Sequence, residues 1–263
     1  MRVADDDIAL AQRLADAAGA AIRPYFRAAH GLETKADDSP VTLADRAGEE
    51  AMRALIEAER PEDGIVGEEY GTRAGTSGRQ WVLDPIDGTR AFISGRPIFG
   101  TLIALVADGW PMIGVIDQPI ARERWVGAVG CATTFNGAPA ATRRCAALGE
   151  ALLATTSPAL FDDGQLHAFE HLDVAVRSTV LGGDCYNYGC VASGWLDVVV
   201  EAGLKLHDFA ALAPIVEGAG GRMCDWQGDP LIADSTGEVI AAGDPARIEE
   251  IIDLLACRGH NHG

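Results

Sequence analysis

"WVLDPIDGTRAF", Trp81 to Phe92, sets an apolar run against two carboxylates three residues apart, then a Gly-Thr step and a return to apolar residues. Asp-Pro and Asp-Gly are common turn dipeptides, so the plain reading is a strand that ends at Asp84 and turns. The sharper reading is a cation site that also grips an anion. The surrounding residues decide between the two.

The 263 residues are 48% hydrophobic, enough for one large domain or two of ordinary size. With 21 Lys and Arg against 39 Asp and Glu, the net charge is −18. That balance argues against a basic nucleic-acid face and against adhesion to acidic membranes. A phosphorylated substrate remains open, provided that metal ions or amide dipoles supply positive charge locally. The six cysteines show no C-x-x-C pairing and read as reduced thiols. No segment approaches about 18 consecutive apolar residues, and "MRVADDDIALAQ" lacks signal-peptide character. The expectation is a soluble, cytoplasmic protein.

Ile8, Ala11, Leu14, Ala18 and Ile22 recur at helical spacing and predict a helix from about residue 5 to near Pro24. A second helix is expected from near Thr42 to Pro61, with Thr42 and Asp45 as a T-x-x-D capping box. "GIVGEE" and "QWVLD" read as short strands. From Ile98 to Gly130 strand patterns are broken at Asp108-Gly109 and Gln118-Pro119, and Asn136-Gly137 marks a further turn. This half reads as helices on an antiparallel sheet. From about Ala151 strands and helices alternate, with "HDFAALAPIVEGAG" as one helix, so the second half reads as mixed α/β. The division is placed at 1–146 and 147–263.

Acids stand at the ends of several apolar elements: Glu68 and Glu69 after "GIVG", Asp84 and Asp87, and Asp208 near a helix start. Such carboxylates, if they converge, repel one another by several kcal/mol unless cations sit between them. Hard oxygen ligands select Mg²⁺, Mn²⁺ or Ca²⁺. Gly88-Thr89 opens a helix whose free amides suit a phosphate. Together these parts describe metal-assisted phosphoryl chemistry.

"GEE" at 67–69, "WVLDPIDGTRAF" at 81–92, "LHDFAALAPIVEGAGG" at 206–221 and the upstream Lys35 with "PVTLAD" resemble the inositol monophosphatase superfamily. Its members are magnesium-dependent, lithium-sensitive phosphatases, and the resemblance spans essentially the whole chain. It implies a layered αβαβα sandwich with the site between its halves, and a homodimer. It implies two or three Mg²⁺ per site, with Mn²⁺ possible, on Glu68, Asp84, Asp87, Asp208 and the Ile86 carbonyl. Gly88 and Thr89 amides would hold phosphate. The Thr89 hydroxyl, supported by Asp45, would orient the attacking water together with Glu68.

For the substrate, "LGGDCYNYGCVASGWLDVVVEAGLK" at 181–205 and "ISGRPIFGTLIAL" at 93–105 resemble the histidinol-phosphatase branch more than the inositol branch. The position of Asp184 carries a small residue in the inositol branch. Glu201 aligns there with the acid that touches the leaving alcohol. Two acids near the non-phosphate end suit an amine and an imidazole, as in histidinol phosphate.

Other readings remain open at this point. D-P-I-D-G-T is one residue longer than the D-x-D-G-T of aspartyl-phosphate transferases of the haloacid-dehalogenase type. "HAFEH", His167 to His171, matches the H-x-x-E-H pattern of a zinc peptidase. A regulatory protein on a phosphatase fold is the non-enzyme alternative. Tyr186 and Tyr188 read as core or helix-face residues, and Leu102, Ile103 and Val115 as core or interface. His260 and His262 read as a frayed end able to bind stray metal weakly.

Overall fold

The structure, a computed structural model, describes residues 3–28, 33–34 and 40–256. Lys35, Cys257, His260 and His262 lie outside the described residues.

Helix α1 (Asp5–Ile22) buries Leu10, Leu14, Ala18 and Ile22 on one stripe and gives way to a 3₁₀ turn at Arg23–Tyr25, where Pro24 stands. A two-residue ladder pairs β1 (Glu33–Thr34) with β2 (Pro40–Val41). Helix α2 (Leu43–Glu59) starts at the expected box: the Thr42 hydroxyl accepts from the Ala44 amide, and Asp45 accepts from the Thr42 amide. Strands β3 (Gly64–Gly67), β4 (Gly71–Arg73) and β5 (Arg79–Asp87) follow, then helix α3 (Thr89–Ile93). Strands β6 (Gly100–Ala107), β7 (Trp110–Gln118), β8 (Glu123–Ala128), β9 (Thr134–Phe135) and β10 (Ala138–Pro139) complete an eight-stranded sheet. Its order is β10-β9-β8-β7-β6-β5-β3-β4, antiparallel except for the parallel β3–β5 pair.

The second sheet contains β11 (Leu152–Thr155), β12 (Ser178–Leu181), β13 (Val198–Glu201), β14 (Arg222–Cys224) and β15 (Val239–Ala242). Its order, β12-β11-β13-β15-β14, mixes parallel and antiparallel neighbours. Helices α4 (Asp163–Ala175), α5 (Tyr186–Ala192), α6 (Leu206–Phe209), α7 (Leu212–Gly218) and α8 (Ile248–Leu255) pack around it.

Strand alternation builds the layers. Leu83, Ile103, Leu105 and Ile113 point into a core with α1 and α2, while Val82, Leu102, Ala104 and Val106 point the other way. There they meet Val191 of α5, Phe209 of α6 and Ile215 of α7, together with Val199 and Val239 of the second sheet. The second sheet's other face, with Val198, Val200 and Ile240, packs under α4 and α8. The result is the expected αβαβα order. Leu102, Ile103 and Val115 are fully buried within this one chain, which makes them core rather than interface.

One expectation changes here. The helix expected over 207–220 is two short helices, because Pro214 cannot donate to a preceding carbonyl and its ring crowds the turn before it. These helices sit unusually close to the first sheet. Gly114 and Gly127 are cross-strand partners, and a Cβ at either would lie 1.8 Å from the Ala211 carbonyl oxygen or 2.4 Å from that of Pro214. Two adjacent glycines thus open a trough for the α6–α7 backbone, which brings Asp208 to the sheet's edge.

Candidate active site

Strand β5 does not end at Asp84. It continues to Asp87 through a bulge: Asp84 pairs with Leu102 and Asp87 with Gly100, three steps on one strand against two on its neighbour. Residues an odd number apart face opposite sides of a regular strand, so the extra residue turns Asp84 and Asp87 toward one side. Pro85, with no N–H to donate, occupies the irregular stretch, and its carbonyl accepts from the Thr101 hydroxyl at 2.8 Å. Ile86 buries its side chain in the first core, and its carbonyl accepts from the Thr89 hydroxyl at 3.1 Å.

Carboxylate oxygens of Asp84, Asp87 and Asp208 lie within 4.8 Å of one another, a group able to hold a metal ion. Glu68 joins them from the turn after β3, its carboxyl in hydrogen-bonding reach of Asp84. Burial, and then the charges of Glu68, Asp87 and Asp208, push Asp84 well above the usual carboxylate range. Burial, Asp184 and Asp208 do the same to Asp87, against the opposing hydrogen bond from Cys185. Asp208 is raised by burial and by Glu68 in spite of His207 and Lys205. An all-oxygen donor set whose aspartates are raised by burial and by one another's charge lacks positive charge, and a hard divalent cation fits that need.

Gly88 adopts φ +85° and opens α3, and neither its amide nor that of Thr89 meets an acceptor among the described residues. The Thr89 hydroxyl also lies 3.5 Å from Asp45 Oδ1, so Asp45 caps α2 with one oxygen and faces Thr89 with the other. Both readings of Asp45 are compatible. Its pKa is raised, first by burial.

A cleft of about 250 Å³ opens beside the carboxylates, lined by Asp87, Asp184, Glu201, Asp208, Tyr188 and Leu160 among others. Asp184 sits closer to the amides than a pair of acids at the far end would. A Cβ at Gly88 would lie 2.8 Å from Asp184 Oδ2. Burial raises the Asp184 carboxyl to about 6, with Arg90 opposing. Glu201 is deeper and buried, accepts from the Thr156 amide at 2.9 Å and the Tyr188 hydroxyl at 2.8 Å, and is raised by burial to about 7.

Tyr188 therefore lines the cleft and orients Glu201, whereas Tyr186 is structural, donating to Glu123 at 2.7 Å beside the Trp125 ring. Sequence reasoning missed Thr156 and Leu160, which precede α4 in an undistinguished "TTSPAL". It also missed Glu49, whose buried carboxylate accepts from the Glu69 amide at 2.7 Å and from Arg53 Nε at 2.6 Å, bracing the turn that carries Glu68. "HAFEH" falls on α4, away from this cluster. Among the described residues the aspartate trio alone forms a group of three or more metal-capable side chains, so no third ligand completes a zinc-peptidase centre there.

The fold and this carboxylate cluster define a metal-assisted phosphatase architecture. Residues 4–259 match the inositol monophosphatase family, and the chain belongs to that family as one of its phosphatases. It is 46% identical over 256 residues to a bifunctional phosphatase, IMPL2, chloroplastic, from Arabidopsis thaliana, covering 94% of this chain and 74% of that protein. It is 38% identical to a histidinol-phosphatase from Chlorobaculum parvum, covering 89% and 92%. A solved inositol monophosphatase from Zymomonas mobilis superposes with TM-score 0.89 at 58% identity, covering 97% of this chain and all of that one (100%). No helix among the described residues is long and apolar enough to cross a membrane.

Proposed function

We propose that the protein hydrolyses L-histidinol phosphate to L-histidinol and phosphate, as a step of histidine biosynthesis, with water as the direct nucleophile. The observation that carries the reading is Asp184 against Gly88, with Glu201 deeper in the same cleft. In histidinol phosphate the ammonium-bearing carbon is bonded to the ester carbon, so the cation lies close to the phosphate. An acid beside the phosphate-binding amides suits that ammonium. The imidazole then extends toward Glu201 and Tyr188, past Leu160, Leu204 and Leu212. The curated histidinol-phosphatase relative supports the same substrate.

Mg²⁺ or Mn²⁺, two or three per site, when held by Glu68, Asp84, Asp87, Asp208 and the Ile86 carbonyl, would polarise the phosphoryl oxygens and acidify the attacking water. The Gly88 and Thr89 amides hold phosphate oxygens. Thr89 donates its proton to Ile86, which leaves hydroxyl lone pairs to accept from the water. Glu68 orients the same water, and Asp45 keeps Thr89 in place. The reading takes 1–146 as the half with most metal carboxylates and 147–263 as the half with Asp208 and the substrate contacts. It takes a cytoplasmic homodimer as the assembly, which sedimentation velocity tests.

Inositol 1-phosphate is the second reading, favoured by the 58% identity to the Zymomonas mobilis protein. Phosphate release from histidinol phosphate, inositol 1-phosphate, fructose 1,6-bisphosphate and a 3′-phosphoadenosine compound, with and without Mg²⁺, decides. Preference for histidinol phosphate is expected, and preference for any other substrate overturns the assignment. A phosphoenzyme trapped in acid quench would overturn direct attack by water.

A further inference from the structure

Two histidines of α4 take no part in the chemistry above. His167 and His171 stand one turn apart, their Nε2 atoms sharing a hydrogen bond at 3.3 Å, with rings 4.7 Å apart at 86°, so a bound cation would take the place of the shared proton. His167 is exposed and His171 half-buried, and each ring's recorded hydrogen bond and ring contact is with the other. Their helix is a firm base. Asp162 and Gln165 close a capping box at its start, and Ala168, Phe169 and Leu172 anchor its inner face on the second sheet, beside Val198, Val200 and Ile240.

The separation has a chemical meaning. Zinc binds imidazole nitrogen at about 2.0–2.1 Å in tetrahedral geometry, which places two ligand nitrogens about 3.3–3.4 Å apart. A right angle would bring them to about 2.9 Å at the same bond lengths. The observed pair matches the tetrahedral value. Residues four apart on a helix face one another, so both nitrogens reach one ion without backbone movement.

We propose that His167 and His171 form a surface zinc site, with water completing the coordination shell. It is separate in place and in preference from the carboxylate cluster. Imidazole nitrogen suits zinc, while an all-oxygen set suits magnesium, so the two ions sort between the two sites. With only two protein ligands the site is not a peptidase centre. Its effect is to cross-link successive turns in the middle of α4, the helix that follows the 158–161 segment bordering the cleft.

The test is calorimetric titration of Zn²⁺ into the full chain with Mg²⁺ saturating. The tail histidines are first removed in an H260A/H262A background. One saturable event is expected, lost in both His167→Ala and His171→Ala, and Zn²⁺ should raise the melting temperature of the background protein but not of either variant. Circular dichroism and unchanged Mg²⁺-dependent phosphatase turnover in the double variant verify that its fold is intact. Saturable Zn²⁺ binding that persists in the double variant, or none in the background protein, overturns the proposal.

Discussion

The backbone N–H of Cys185 donates to Asp87 Oδ2 at 2.6 Å, joining residues 98 positions apart in the chain. Asp87 comes from the bulged end of β5, whereas Cys185 opens α5 against the second sheet. The orientation of a central carboxylate thus depends on both halves being docked.

Asp87→Asn keeps an oxygen for that amide and removes one negative charge. Turnover is expected to fall by about a thousandfold or more, since metal-borne charge stabilisation is worth several kcal/mol. Melting in EDTA should be unchanged or raised, because a source of repulsion has gone. Phosphate release with parallel melts checks both.

Asp184 lies at φ +44°, a region that asparagine tolerates and alanine resists, so Asp184→Asn is the informative variant. Loss of a charged contact should raise KM for histidinol phosphate by about 10- to 100-fold. KM for inositol 1-phosphate should move little. An equal change on both substrates would remove Asp184 from recognition.

The clustered carboxyls predict an unusual pH profile. Asp84, Asp87 and Asp208 are raised above their ordinary values, Asp184 to about 6 and Glu201 to about 7. The folded state therefore binds more protons than the unfolded one between about pH 4 and 7, and stability without divalent cations falls as pH rises through that window. Mg²⁺ should raise the melting temperature more at pH 8 than at pH 5. Calorimetry in EDTA and in Mg²⁺ at both values measures the difference.

Glu49→Gln should act through the turn that carries Glu68. Arg53 loses a buried partner and the Glu69 amide meets a neutral group. Activity is expected to fall about 10- to 100-fold, the range for supports behind metal ligands. The Mg²⁺ concentration for half-maximal activity should rise, a change that simple destabilisation would not produce.

Gly114→Ala places a methyl against the Ala211 carbonyl and should cost about 1–3 kcal/mol, with α6 and Asp208 displaced from the aspartate pair. A urea melt and a Mg²⁺ titration of activity report the two effects.

Much of this was legible in the residues. Apolar runs broken at Asp108-Gly109 and Gln118-Pro119 announced β6 and β7, and the T-x-x-D box located the start of α2. The acids at element ends included Asp84, Asp87 and Asp208, which converge, and Glu68 beside Asp84. What escaped were features that depend on contacts between elements: the bulge that carries β5 to Asp87, the break at Ala210-Ala211, and Glu49, which looks like any acid on an amphipathic helix until its reach to the Glu69 amide is seen. Tyr188 is the buried core residue expected of it, and the contacts add only that its hydroxyl reaches Glu201.

Periodicity and turn chemistry are local, so spacing by itself placed most of the strands and helices, apart from the end of β5 and the break in the 207–220 helix, and singled out the acids at the ends of apolar elements. Distances between residues of distant segments are not local. Only docking of the two sheets, through the Gly114–Gly127 trough and the Cys185 amide, decided that Asp208 meets Asp84 and Asp87, and that Asp184 stands beside Gly88. Repulsion among like charges opposes that meeting, and close packing of the helices between the sheets holds it in place.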